Sequence, residues 1–154
     1  MNFTCTVNIN APLNLVAQIF ADPDQQKHFQ DGFISKVPLS GISGEKGAVS
    51  QLNYKKLELI ETIIENELPH EFKALYEHKH TTNTMHVKFT ALDENLTQYD
   101  SEILYTKFKG LVINLMVKIA PGLFRKQVQI WLKQFKTYVE AEHIKNQSIA
   151  SSQQ

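Results

Sequence analysis

The stretch FRKQVQIWLKQFKTYVEAEH, Phe124–His143, decides how the rest of the chain is read. At about 100° per residue, Phe124, Val128, Trp131, Leu132, Phe135, Tyr138 and Val139 fall in one arc roughly 120° wide. Arg125, Lys126, Gln129, Lys133, Lys136, Thr137 and Glu140 take the other side. The spacing predicts an amphipathic helix, about 30 Å long at ~1.5 Å per residue. Pro121-Gly122, just ahead of it, stops one element and lets the next begin. The apolar face carries the only Trp of the chain. That face needs an apolar cover.

Composition narrows where the cover comes from. At 154 residues, 42% apolar and 21% charged, the chain reads as one soluble domain large enough to bury its own core. We expect the domain to span 1–143, with a polar, disordered tail over 144–154. Sixteen basic residues balance sixteen acidic ones, which argues against a nucleic-acid partner, since that needs a basic surplus. Arg125 is the only arginine, so an Arg-clamped anion site is not expected. Cys5 stands alone, which rules out an internal disulfide and a cysteine-built metal cage. MNFTCTVNIN has neither the charged n-region nor the apolar h-region of a signal peptide. The apolar run Leu111–Leu123 is broken by Asn114, Lys118 and Pro121 and is too short to span a bilayer. We therefore expect a cytoplasmic protein without stable membrane insertion.

Period-two patterns fill most of the remaining chain. Phe3, Cys5, Val7 and Ile9 alternate with Asn2, Thr4, Thr6 and Asn8, a half-buried strand. Pro12 suits the first turn of a short helix to about Ala21. Asp22-Pro23-Asp24-Gln25 reads as the start of a second, running to about Gln30. Strands follow near 33–39, 48–55, 57–68, 71–80, 84–92 and 97–107, separated by turn-like segments. Short turns between consecutive strands give an antiparallel meander. The order predicts an α+β fold: a curved antiparallel sheet of about six to seven strands wrapped around the long C-terminal helix, with two short helices after the first strand.

In this order the chain resembles the START/polyketide-cyclase (SRPBCC, helix-grip) superfamily. The resemblance rests on three segments. The opening strand followed by INAPLNLVAQIFADPDQQKHF is similar to the family's strand, Pro-led helix and second short helix. The glycine-containing loop Gly41–Gly47 sits between the second and third strands. KGLVINLMVKIAPGLFRKQVQIWLKQFKTYVEA resembles the close of small bacterial members. The resemblance implies an apolar cavity between sheet and long helix, holding a hydrophobic small molecule, lipid-like or aromatic. It equally admits cyclase/aromatase-type enzymes acting on polyketide-like substrates. A protein-interaction module with a solid interior is a third reading.

Candidate residues follow from the two facing surfaces. On the helix, Val128, Trp131, Phe135 and Tyr138 either line the cavity, with Phe124 at its mouth, or form plain core. On the sheet, alternation turns Phe72, Ala74 and Tyr76 inward, with Met85, Val87 and Phe89, and Tyr99, Ser101, Ile103 and Tyr105. Tyr76, Tyr99 and Tyr105 offer hydroxyls to orient a ligand's polar end. Ile60, Thr62 and Ile64 join the inward set, but Leu59 and Ile63 alternate with them, so that strand reads as covered on both faces. Glu58, Glu61, Glu65, Glu67 and Glu71 read as a solvated face. His78, His80 and His86 invite a metal reading. A turn at Thr82-Asn83 puts only His78 and His80 on one face, where zinc wants three or four ligands, so neither metal nor cofactor is expected. Gly41–Gly47 reads as a flexible loop at the cavity mouth. Residues 110–119 are apolar on almost every side, as for a lid, a homodimer contact, a membrane-touching patch or a short helix packed under the sheet edge.

Overall fold

The computed structural model describes all 154 residues. In chain order they form β1 (Asn2–Ile9), α1 (Leu13–Ala21), α2 (Pro23–Gln26), β2 (Phe33–Ser40), β3 (Val49–Tyr54), β4 (Glu58–Glu67), β5 (Glu71–Glu77), β6 (Thr81–Asp93), β7 (Leu96–Phe108), α3 (Leu111–Ile119) and α4 (Gly122–Ser152). One antiparallel sheet runs β1-β7-β6-β5-β4-β3-β2. Strands β2 to β7 are a meander of hairpins, and β1 closes against the last of them, as the expected α+β fold requires.

Each short helix is set by its first residues. Pro12 precedes α1 in extended geometry. The Asp22 side chain accepts a hydrogen bond from the Asp24 N–H at 2.9 Å, with Pro23 at the first helical position. Both helices lie over the inner face with α4. Phe20 of α1 meets Phe72, Phe89, Tyr99 and Phe135 edge-on at 5.4 to 6.3 Å. Edge strand β1 would otherwise present unpaired carbonyls to water. Arg125, Gln129 and Lys136 of α4 donate to the carbonyls of Thr4, Thr6 and Asn8. The polar side of the long helix thus caps the sheet edge while its apolar arc faces inward, burying Val128, Leu132, Phe135 and Val139.

Four local expectations are corrected. The β5–β6 hairpin turns at Lys79-His80, with His78 and Thr81 exchanging backbone hydrogen bonds of 2.8 and 3.3 Å. Thr82 therefore pairs with Glu77 within the ladder and is not in the turn. In β4 it is Leu59, Glu61 and Ile63 that face inward, since Glu61 pairs with Tyr76 and Ile63 with Ala74. A one-residue slip in parity exchanges the faces of a strand, and both faces of β4 carry branched apolar residues. The extra residue Ile64 sits between the pairs Ile63–Ala74 and Glu65–Lys73. Such a bulge reverses parity, so Glu65 and Glu67 point outward while Glu61 points in. Finally, α4 continues to Ser152 through the stretch read as a disordered tail. No Gly or Pro interrupts Ala141–Ser152, and Ala, Glu, Lys and Gln favour helix there.

Candidate functional site

The inner face is filled at one end and hollow at the other. The filled end is an aromatic cluster: Phe89 lies 4.9 Å from Tyr99, Phe135 lies 5.5 Å from Tyr99, and Phe29 lies 4.8 Å from Phe135. These rings meet tilted or edge-on, the geometry their quadrupoles favour. Toward the β5–β6 turn the packing opens into a cavity of about 230 Å³, with 15 of its 21 lining residues hydrophobic. Engineered apolar cavities of about 150 Å³ already hold benzene, and drug-sized sites start near ~300 Å³. The space is large enough to enclose one or two fused rings.

The structure distributes the expected site residues among four places. Tyr76, Tyr99, Ile103 and Tyr105 line the cavity from the sheet, and Val128, Trp131 and Phe135 from α4. Phe72, Val87 and Phe89 are buried in the filled end, outside the cavity wall. Phe124 stands one layer out, 5.2 Å from Tyr105 and 6.0 Å from Phe108. Tyr138 turns away from the sheet altogether: it stacks on His28 at 5.1 Å and donates to the Gln25 side-chain oxygen. At the edge of a 120° arc, such a residue meets α1 and α2 before it meets the sheet. The Gly41–Gly47 loop contributes nothing to the wall either. It lies at the opposite end of β3 from Tyr54, with the Gly47 N–H donating to the Ile63 carbonyl at 2.8 Å.

Sequence reasoning missed the polar end of the cavity. Two of its residues, Gln26 and Gln30, come from the segment read as the second short helix, and Tyr54 from the end of β3. The Tyr54 hydroxyl donates to the Gln30 side-chain oxygen at 2.6 Å, and Gln26 donates to the same oxygen at 2.8 Å. Behind Tyr76 lies a buried charged group. The Tyr76 hydroxyl donates to one Glu61 carboxylate oxygen at 2.8 Å, and the Lys36 ammonium meets the other at 2.6 Å. Glu61 is only 4% exposed. A buried carboxylate requires such partners, because desolvating it unpaired is costly. Burial first, and the Glu61 charge second, push the phenols of Tyr54 and Tyr76 well above tyrosine's ordinary value. Burial alone raises Tyr105, and it is the largest cause for Tyr99. These hydroxyls stay protonated near neutrality and act as donors or acceptors, not as bases.

One fully buried polar oxygen in the wall has no hydrogen-bond partner. The Ser101 side chain is fully buried and lines the cavity; its oxygen makes no hydrogen bond of ordinary geometry, and it lies near enough to the Tyr99 phenol only to temper that group's rise. An unmatched buried hydroxyl costs about 1–3 kcal/mol, and a ligand group reaching it would recover part of that. Tyr54, Leu57, Leu59 and His78 also border an open depression outside, between the β3–β4 and β5–β6 turns, so that the cavity is separated from solvent there by a single layer of side chains. His78 and His80 meet there at 5.4 Å. Burial, then the charges of His80 and Lys79, hold the His78 imidazole below its ordinary value. His86 is on the outer face, 2.9 Å from Glu71. No group of three or more His, Cys, Asp or Glu converges anywhere in the fold.

Against known proteins, no family model matches the sequence, and no curated protein matches it. Solved structures do. A START superfamily protein from Mycobacterium smegmatis superposes with a TM-score of 0.72 at 14% identity, covering 91% of this chain and 97% of that one. The Zhui aromatase/cyclase from Streptomyces sp. R1128 gives 0.74 at 12%, covering 91% and 93%. Ara h 8.0201 gives 0.68 at 12%, covering 92% and 98%. The chain therefore has the helix-grip fold of START and polyketide-cyclase-like proteins. At these identities the likeness concerns the fold, and fold alone does not fix function.

Proposed function

We propose that the protein binds a small, mostly apolar molecule carrying one hydrogen-bonding group, held between the sheet and α4. The observation that carries this reading is the cavity of about 230 Å³ with the unpartnered Ser101 hydroxyl in its wall. Trp131 and Phe135 would supply flat apolar walls, and Ser101 or Tyr105 the orientation. Burying about 200 Å² of apolar ligand surface at ~25 cal/mol per Å² gives about 5 kcal/mol. That corresponds to a dissociation constant of roughly 0.1–1 mM for an unoptimised aromatic probe. A single free, buried cysteine fits a reducing compartment, and we assign the protein to the cytoplasm.

Tyr76, Glu61 and Lys36 give the cyclase-type reading its one specific support, since a buried acid–base cluster borders the cavity. Binding without turnover is favoured because Glu61 is neutralised by Lys36 and screened by Tyr76, and the phenols are held protonated. The one neutral base in the wall is His78, at the outer end beside the β5–β6 turn and not in the Tyr76–Glu61–Lys36 cluster. Calorimetric titration with 2-naphthol and with naphthalene separates the contributions. We expect both to bind, 2-naphthol about tenfold tighter, and Ser101→Ala to remove most of that difference. Absence of binding by both compounds at millimolar concentration would refute the reading.

A further inference from the structure

We propose that α3 docks the protein onto the surface of an anionic phospholipid bilayer. The inference goes beyond ligand binding and stands without it. A helix on a soluble domain normally turns its apolar arc inward. In α3 only Ile113 and Val117 are half-buried, with Ala120 just past its end. Leu111, Val112, Leu115, Met116 and Ile119 cover an outward arc of about 140° at 100° per residue. Leu111 is 90% exposed, Val112 75% and Ile119 72%. Asn114 and Lys118 occupy the flank of that arc. Nothing else in the fold covers this face.

Charge indicates what does. Between Ile103 and Val139 there is no Asp or Glu, while seven basic residues occur; the rest of the chain has nine basic against sixteen acidic. The zero net charge of the whole hides this division. Within the basic stretch, Lys107, Lys109, Lys118 and Lys126 are exposed and form no ion pair. They bracket α3: two precede it, one lies in its last turn, and one follows near the start of α4. A second copy docking by two-fold symmetry would set this positive segment against itself. Lipid phosphates complement it, and the acyl boundary complements the apolar arc. A nine-residue helix lying in the interface suits peripheral attachment, and no helix of the chain is long and apolar enough to cross a membrane.

Co-sedimentation with vesicles tests this directly. One set is phosphatidylcholine and phosphatidylglycerol in equal parts, the other phosphatidylcholine alone. The full chain should partition onto the anionic vesicles, with loss in 0.5 M NaCl. Lys109→Gln and Lys118→Gln should each weaken partition about fivefold. Leu111→Glu with Ile119→Glu should weaken it at least tenfold, and circular dichroism should stay unchanged, since both side chains already face water. Equal binding to both vesicle types, or full binding by the double glutamate variant, would overturn the proposal. So would a dimer, seen by light scattering, that the double variant dissociates while no vesicle binding occurs; α3 would then be a self-association surface.

Discussion

Replacing Lys36 by Met tests whether Glu61 points into the fold. The ammonium lies 2.6 Å from a carboxylate that is 4% exposed. Its removal leaves Glu61 with only the Tyr76 hydroxyl. Breaking a buried pair from one side costs about 3–5 kcal/mol. The Lys36 side chain retains 19% exposure, so some water reaches the site and the low end applies, about 3 kcal/mol. For a chain of this length that lowers Tm by about 6–12 °C. Glu61→Gln should cost less, about 1 kcal/mol, because the Lys36 head can turn toward water and the amide still accepts from Tyr76. The double variant has no buried charge left and should cost about 1–2 kcal/mol, not the sum of about 4. Urea unfolding of the four proteins at pH 7 reads the coupling, about 2 kcal/mol. A Lys36→Met cost below about 1 kcal/mol, or single costs that simply add, would mean that Glu61 belongs to a solvated row and the inward parity of β4 is mistaken.

Two further outcomes follow from the filled end and from the phenols. Phe135→Ala removes a ring 2% exposed that touches Phe29 and Tyr99, and should cost about 3–5 kcal/mol in denaturant unfolding while admitting aromatic probes too large for the native cavity. Tyr54, Tyr76 and Tyr99 have folded-state values raised above the unfolded one, so their contribution is complete below about pH 10 and is lost progressively as pH rises from there through the raised folded-state values. Absorbance at alkaline pH should show these three ionising together with unfolding, and a phenol of the three titrating near 10 in the native protein would contradict their burial.

Much of the fold was legible because its periodicities are long and clean. Phe72, Ala74 and Tyr76, then Met85, Val87 and Phe89, then Tyr99, Ser101, Ile103 and Tyr105, share the inner face as their alternation requires. The α4 arc likewise buries Val128, Leu132, Phe135 and Val139. Legibility failed where a local device changes the count. Five carboxylates at 58, 61, 65, 67 and 71 look like one wet row, yet positions 58 and 61 differ by an odd number and cannot share a strand face. The bulge at Ile64 then hides the inward Glu61 among outward neighbours. The β5–β6 turn misled because His78–Thr81 contains no Gly, Asn or Asp to mark it. The polar end of the cavity draws on Gln26, Gln30 and Tyr54 from three separate positions, and on Lys36 and Glu61 from two strands. Only tertiary structure brings them together.

The central claim is that the sheet and α4 enclose an accessible space that takes a ligand. Methyl-resolved NMR with 2-naphthol titrated into the protein tests it most directly. Methyl signals of Leu52, Leu59, Met85, Ile103, Val128 and Leu132, all on the cavity wall, should move together and saturate. Those of Val16, Val87 and Val139, buried away from it, should hold still. Shifts scattered over the surface, or none up to millimolar 2-naphthol, would contradict the account.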